Sequence, residues 1–275
     1  METEGAELTS WTTERLLAEL DSLDSSSVSD DVVQIATEEY RLLIFSPRWI
    51  SPTFPGAQVT WSNVSRPFDA VFRDVARVVM DHGHSDVHWW VTSMSRPTEL
   101  ESILLARGGE LTDSAHILSK ELIERGLPNF TEGEITVKLV CDEETVRAAS
   151  LIEAQGWGRA ALDEAALSDR LEEVKGQLEK GSSFQLVAFI EGEPAATATC
   201  ALYGEVSRLY GAVTLPEFRN RGCYHALLGE RVRRAQESGA TVALTRARPM
   251  TSGPLLVRAG FSLHGEERCY RLSAT

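Results

Sequence analysis

The chain has few cysteines, and none of them is spaced for metal binding or redox chemistry. The 275 residues include only four, Cys141, Cys200, Cys223 and Cys269, and no two of them form a CxxC pair. No secretory signal precedes them. These absences argue against a secreted domain held together by disulfides and predict a reduced, cytoplasmic compartment.

Two further absences concern membranes and nucleic acids. No run approaches the roughly 18 apolar residues that a membrane-spanning helix needs, so we expect no membrane partner. The net charge of −14 disfavours nucleic acid, because binding to phosphates needs a basic face. The charge is uneven, however: residues 206–275 carry eleven arginines and five glutamates, a net charge of +6, whereas residues 1–205 carry −20. The basic segment suits an anionic ligand. The acidic remainder suits a cationic amine, or simply keeps the protein in solution.

The most informative segment is VTLPEFRNRGCY, from Val213 to Tyr224. An apolar strand breaks at Pro216, the chain turns, and a helix then runs to about Ser238. In such a turn successive backbone N–H groups converge, and the positive end of the helix dipole adds to them. Gly222 lets the backbone approach a phosphate closely, so the segment predicts a pyrophosphate site. The helix is expected to expose three arginines, Arg231, Arg233 and Arg234.

The sequence from Arg219 to Tyr224, RNRGCY, resembles the signature of the GNAT acyltransferases. That signature is Arg or Gln, two residues, Gly, one residue, and then Gly or Ala, so Tyr224 departs from it at the last position. The order of strands and helices from Ile135 to Leu272 also follows the family. The resemblance implies an α/β (α+β) fold, N-acetyltransferase activity, and acetyl-CoA as co-substrate without a metal.

The first half of the chain repeats the element order of the second half. A helix from Phe68 that closes at Gly83 is followed by a strand, a helix and a strand, as after Tyr224. We therefore predict two tandem GNAT-like domains, each a mixed, mostly antiparallel twisted sheet flanked by helices. The predicted division is a degenerate copy at residues 1–128 and a catalytic copy at residues 129–275, and a homodimer is left open.

The first copy lacks the cofactor turn. Residues 62–67 read SNVSRP, which contains no glycine for close backbone approach, and Pro67 has no N–H to donate. The first copy is therefore expected to bind no acyl-CoA, and to cover one side of the acceptor pocket or to provide a packing surface.

The resemblance also implies which residues hold acetyl-CoA. The N–H of Ala212 would face the thioester oxygen, and the main chain of Thr214 would bind the pantetheine arm. The other implied contacts are at Val213, Arg219, Asn220, Arg221, Gly222, Cys223 and Tyr224. Transfer in the family is usually direct, so Cys223 is interpreted as part of the turn and not as a nucleophile.

The groups that transfer protons are harder to find. Many family members carry a Glu where this strand has Arg208, and the common Tyr of the later helix is replaced by Leu256. Glu205 and Tyr210 are the nearest candidates for catalytic residues, and a chain of waters is the alternative base. Each also has a plain interpretation, since a turn Glu is usually solvated and a strand Tyr is usually part of the core.

The acceptor is not legible from the sequence. In this family the helices after the first strand usually wall the acceptor site, which points to Glu153, Trp157 and the acidic stretch 163–169. The favoured function is transfer of an acyl group, with acetyl preferred, from acyl-CoA to the amine of a small or amino-acid-like molecule. A protein or peptide N-acetyltransferase and a non-catalytic acyl-CoA sensor are the alternatives.

A metallohydrolase is a third interpretation. Residues 82–88, HGHSDVH, approximate an HxHxDH zinc motif, but Val87 displaces the last histidine by one position. A polar turn between helix and strand is favoured, and no metal is expected.

Overall fold

A computed structural model describes residues 11–26, 32–47, 50–51, 54–122 and 135–275. Within these ranges eleven strands form one continuous sheet. The strands are β1 Val32–Ala36, β2 Tyr40–Phe45, β3 Ala57–Ser62, β4 Asp86–Val91, β5 Glu110–Glu121, β6 Ile135–Leu139, β7 Ser183–Ile190, β8 Glu193–Tyr203, β9 Val206–Thr214, β10 Val242–Ala247 and β11 Ser262–Ser273. Their order across the sheet is β1-β2-β3-β4-β11-β5-β10-β9-β8-β7-β6.

Helices cover the sheet, and local sequence fixes several of their ends. The helix that starts at Glu143 has a capping box, in which the backbone N–H of Thr145 donates to Asp142 Oδ1 over 2.8 Å. It ends at Gly158, whose φ of 67° is left-handed. The described helices are α1 Thr13–Ser26, α2 Phe68–Asp81, α3 Leu100–Ala106, α4 Glu143–Trp157, α5 Glu164–Glu179, α6 Cys223–Glu237 and α7 Ser252–Arg258, with a 3₁₀ turn at Pro216–Phe218. None of the helices in the described ranges has the length and apolar content to cross a membrane.

The expected α/β fold with two similar halves is confirmed, but the halves are not separate sheets. β5 lies between β10 and β11, and β11 lies between β4 and β5, all in antiparallel pairs. Each half contains one parallel pair, β3 with β4 and β9 with β10. The last strand of each half, β5 or β11, therefore lies beside the parallel pair of the other half. The predicted boundary at residue 128 lies outside the described residues and stays a prediction.

Core packing crosses between the halves in the same way. Tyr270 and Leu272 of β11 join the buried cluster beneath α2. In the other direction, Leu16 and Leu20 of α1 pack on Val242 of β10 and on its neighbours in the sheet. The first half thus supplies both a strand and a helix to the region where the sequence predicts catalysis.

Candidate active site

Strands β9 and β10 are parallel neighbours that separate partway along. Their register runs from Val206 opposite Val242 to Leu209 opposite Thr245, and the pairing in the described chain ends there. The Thr245 hydroxyl donates to the Leu209 carbonyl over 2.8 Å at this last rung. β9 continues to Thr214 paired with β8 alone. We call the opening between residues 210–214 of β9 and the end of β10 the wedge.

A β-bulge bends β9 at the wedge. Thr197 pairs with Val213 and Thr199 pairs with Tyr210, so Gly211 and Ala212 together oppose a single residue of β8. Gly211 has a φ of 62°, which glycine adopts without strain. The bulge therefore redirects the backbone at Ala212, the position whose N–H is expected to face the thioester oxygen.

The predicted pyrophosphate turn lies at the far end of β9 and leads into α6. Asn220 and Gly222 have left-handed φ values of 61° and 88°. No side chain within the described chain caps the N-terminus of α6, which starts at Cys223. Left-handed residues in a turn point successive N–H groups into one concavity, and the helix dipole makes that concavity favourable for an anion. Arg219 and Arg221 are exposed beside it.

The turn's last two residues point inward and not toward the anion site. Cys223 is only 1% exposed, and burial raises the pKa of its thiol, which disfavours a thiolate nucleophile. Tyr224 packs against the main core, close to the buried Arg231. The phenol at the position where the signature has Gly or Ala is thus part of the protein interior.

The prediction that Arg231 is exposed was wrong. Its side chain is buried beneath α6, where Nη1 donates to the Thr199 carbonyl over 3.3 Å and Nε donates to the Leu227 carbonyl over 3.3 Å. These two carbonyl acceptors offset part of the loss of water. From sequence pattern alone an arginine is expected at the surface. The one departure nearby is Tyr224, which stands where the signature has Gly or Ala.

The two candidate catalytic residues lie in different places. Tyr210 is at the bulge, and burial of its hydroxyl raises the pKa of the phenol, although 46% of the residue is exposed. Glu205 lies in the turn before β9, exposed and paired with Arg15 over 3.4 Å. At roughly 3.3 Å per residue, that turn is about 20 Å from Gly211 along the strand. Glu205 therefore cannot touch an acetyl group held at the bulge, whereas Tyr210 can.

The end of α4 lies against the bulge from one face of the sheet. A Cβ added to Gly156 would fall 2.3 Å from Val213 Cγ2, and one added to Gly211 would fall 3.9 Å from the Trp157 ring. Glu153 lies one turn earlier on α4 and accepts a hydrogen bond from Gln185 Nε2 over 2.7 Å. Of the predicted acceptor wall, Trp157 therefore lies at the bulge, and Glu153 lies one helical turn earlier on α4, over β7.

The acidic stretch 163–169 has other partners. Asp163 caps α5 by accepting from the N–H of Ala166 over 2.9 Å. Glu164 makes two hydrogen bonds to Arg147, of 2.7 and 2.8 Å. The first turn of α5 thus uses these carboxylates to start the helix and to tie it to α4.

The histidines around Gly83 form a turn between α2 and β4. His82 Nδ1 contacts the Val78 carbonyl at 2.9 Å, and His88 lies half-buried within β4. Across the described ranges, no group of three or more His, Cys, Asp and Glu side chains is arranged to hold a metal ion.

Comparison with known proteins finds a family match within the second half of the chain. Residues 143–261 match the family described as "Acetyltransferase (GNAT) family". A GCN5-related N-acetyltransferase from Kribbella flavida is similar in structure, with a TM-score of 0.65, 17% identity and 94% of both chains covered. One from Sphaerobacter thermophilus gives a TM-score of 0.66 at 14% identity, over 94% of this chain and 85% of that chain.

A tandem GNAT protein from the clavulanic acid biosynthesis pathway gives a TM-score of 0.62 at 14% identity, covering 94% of this chain and 92% of that chain. At such identities the similarity concerns the fold alone. No curated protein sequence matches. The family match covers the bulge, the wedge and the turn before α6, so residues 143–261 are similar to a GNAT acetyltransferase domain.

Proposed function

We propose that the chain transfers an acetyl group from acetyl-CoA to the primary amine of a small or amino-acid-like acceptor. The observation that carries the proposal is the order of three features along the chain: the bulge at Gly211, the end of β9 at Val213 and Thr214, and the turn before α6. A thioester, a pantetheine arm and a pyrophosphate follow one another in acetyl-CoA in the same order.

The residues that would hold acetyl-CoA follow from this arrangement. The turn from Arg219 to Gly222 would bind the pyrophosphate through backbone N–H groups, with the arginine side chains adding positive charge. Cys223 and Tyr224 would begin the helix whose dipole faces it. Val213 and Thr214 would offer main-chain groups to the pantetheine arm, and the Ala212 N–H would polarise the thioester carbonyl.

Direct transfer fits the groups at the bulge. The neutral amine attacks the carbonyl carbon, a C–N bond forms, the C–S bond breaks, and the amine loses a proton while the thiolate gains one. A tyrosine phenol is protonated at neutral pH, and we assign Tyr210, which lies at the bulge, as the proton donor to the leaving sulfur. The buried Cys223 has no part in the step.

The test is release of free thiol from acetyl-CoA by the full chain with a panel of primary amines. We expect release only when an amine is supplied, at a rate that rises with pH as the amine loses its proton. Tyr210→Phe should lower kcat by about tenfold or more with unchanged affinity for coenzyme A.

Each other outcome selects a different function. Binding of acetyl-CoA without thiol release for any amine would indicate the acyl-CoA sensor, which the absence of the family's Glu and Tyr at Arg208 and Leu256 favours. Release with peptide amines alone would indicate a peptide N-acetyltransferase. An acetyl-enzyme trapped on Cys223 would contradict direct transfer.

A further inference from the structure

The row of residues beneath α4 leads from a buried amide to the bulge. Gln185 of β7 pairs with Thr199 of β8, and Thr199 pairs with Tyr210 of β9. Residues directly opposite one another in a sheet share a face, so these three side chains form a row across three strands. With neighbouring strands about 4.8 Å apart, Gln185 and Tyr210 are separated by about 10 Å.

α4 runs over this row, and Glu153 lies above its inner end. Glu153, Gly156 and Trp157 are three and four positions apart, so they share one face of the helix. Gly156 and Trp157 contact the bulge, as described above. Glu153 therefore lies one helical turn along α4 from the two residues that contact the bulge.

The Gln185 side chain is held rigidly and presents an N–H to Glu153. Gln185 Nε2 donates to Glu153 Oε1 over 2.7 Å and to the Thr197 hydroxyl over 3.0 Å. That hydroxyl in turn donates to the Leu186 carbonyl over 2.8 Å. Arg170 Nη2 donates to Gln185 Oε1 over 3.3 Å, which fixes the orientation of the amide. This network positions the Glu153 carboxylate without neutralising it.

Among the residues that the structure describes, Glu153 forms no ion pair. Within the described chain its Oε2 accepts no hydrogen bond, and the nearby Arg170 pairs instead with Glu173 over 2.8 Å. Burial raises the pKa of Glu153, while Arg170, the hydrogen bond from Gln185 and Arg159 lower it and Glu173 raises it. A carboxylate in this setting gains from binding either a proton or a cation.

The outer wall beside Glu153 comes from both halves of the chain. The Arg159 guanidinium lies 4.8 Å from the Trp157 ring centroid and 5.8 Å from that of Phe54. Phe54 belongs to the segment between β2 and β3, so the first half reaches the end of α4.

We infer that Glu153 receives the acceptor, pairing with its ammonium group and taking one proton from it, so that the neutral amine can attack the thioester carbon. This inference rests on the proposed function. The C–N bond forms as the C–S bond breaks, Tyr210 gives its proton to the departing sulfur, the second N–H proton replaces the one that Tyr210 gave, and the proton held by Glu153 is released to solvent. The acceptor class is a primary amine, cationic in solution, on a small body that fits against Trp157.

The test is steady-state kinetics of the full chain with Glu153→Gln, using the best amine of the panel. We expect kcat/KM for the amine to fall by about 100-fold or more, with coenzyme A affinity and Tm unchanged, because Gln can still accept from Gln185. In the unaltered protein kcat/KM should fall at low pH with an apparent pKa above the usual carboxyl value, and this dependence should vanish in the variant. Glu153→Asp should recover part of the rate.

The matched control is Glu172→Gln, which removes an exposed carboxylate paired only with Lys175. It should leave kcat/KM within twofold. An unchanged rate for Glu153→Gln in an active parent protein would overturn this inference alone, as would a loss of Tm or coenzyme A affinity large enough to explain the rate. If the unaltered protein releases no thiol with any amine, the proposed function fails first and takes this inference with it.

Discussion

Each half of the chain contains a pair of parallel strands, but only in the second half are the strand ends beyond the last paired residues left separated. In the first half, β3 and β4 pair at Gln58 opposite His88 and at Val59 opposite Trp89. In the second half, the corresponding last rung is Leu209 opposite Thr245. Trp89 and Thr245 thus occupy equivalent places. Two halves with the same strand arrangement need not both bind a ligand. Binding depends on which groups fill the space beyond the last paired residues of the two parallel strands.

In the first half the space between the ends of β3 and β4 is filled by the Trp89 side chain and bridged by the backbone of Arg96. Trp89 is fully buried, and its indole N–H donates to the Ser62 hydroxyl over 2.7 Å, which carries the ring along β3 past the last rung. Beyond it the backbone of Arg96 donates to the Ser62 carbonyl and accepts from the Val64 N–H, both over 2.9 Å. After β10, by contrast, the chain turns on itself, with the Thr251 N–H donating to the Arg248 carbonyl.

In the first half a carboxylate binds the turn before α2, which corresponds to the proposed phosphate site of the second half. Glu39 Oε1 accepts from the backbone N–H groups of Ser65 and Arg66 over 3.0 and 2.9 Å, just before α2. Glu39 Oε2 accepts from Arg66 Nε over 2.6 Å. The backbone hydrogen bond from Arg66 is the largest cause that lowers the pKa of Glu39 to about 2. The degenerate copy therefore retains N–H donors before its helix but satisfies them internally.

The largest effect should come from removing the ring that fills the first half. Trp89→Ala should lower the free energy of unfolding by about 3–5 kcal/mol, because it leaves a cavity and an unpaired Ser62 hydroxyl. Urea denaturation measures this, and Trp90→Ala, at a half-buried neighbour, should cost less. Calorimetry should still find one coenzyme A per chain, since the Arg96 bridge and Glu39 remain. Binding of a second coenzyme A would show that Trp89 alone prevents the first half from binding this ligand.

The next effect concerns the open turn of the second half. Gly222→Glu should weaken coenzyme A binding by roughly 100-fold or more, through like charge and loss of the left-handed backbone. Gly239→Glu is the matched control: it lies at the other end of α6 with a similar φ of 90°, against 88° at Gly222. Both variants carry the same backbone strain, but only the first should lose affinity by calorimetry. Equal losses would attribute the effect to strain and not to phosphate.

The smallest effect concerns the internal carboxylate. Glu39→Gln should lower the free energy of unfolding by about 1–2 kcal/mol at neutral pH, because the N–H donors of the turn lose a charged acceptor. The pKa of Glu39 is below its ordinary value of 4.5 in the folded state, so this contribution is present above pH 4.5 and is lost as the pH falls toward 2. The difference between the two proteins in urea denaturation should shrink over that range.

Glu38→Gln serves as the control for this substitution, because Glu38 is an exposed neighbour. It should change stability by less than about 0.5 kcal/mol. A stability difference for Glu39→Gln that persists unchanged at pH 2 would contradict the carboxylate's role as an internal anion.

Much of the second half could be predicted from the sequence. The hairpin of β7 and β8, the strand β9, the helix α6 and its end before Gly239 all lie where local pattern predicts them. So does the left-handed turn at Gly222, because a glycine's backbone freedom is a local property. The internal repeat likewise predicts α2, β4, α3 and β5 in order. The prediction of exposure failed at Arg231, whose burial depends on a carbonyl 32 residues away.

The exchange of last strands between the halves was not predictable from local pattern. Each of β5 and β11 has the alternation of a strand, but alternation does not say which neighbour a strand pairs with. A fragment beginning near Asn129 would lack β5 beside β10 and would uncover the residues on which α1 packs, including Val242 and Leu244. The predicted boundary at residue 128 therefore divides the sequence, but strands from the two sides of it pair with each other in the sheet.

Local sequence accounts for the strands and helices, for the repeat and for the turn before α6, because these depend on periodicity and on the backbone freedom of single residues. Long-range packing instead sets which parallel strand pair stays open and which carboxylate meets Ser65 or Gln185. Glu39 meets Ser65 across 26 residues, and Glu153 meets Gln185 across 32. Such contacts depend on two distant segments being brought together, and no local property of either segment encodes its partner.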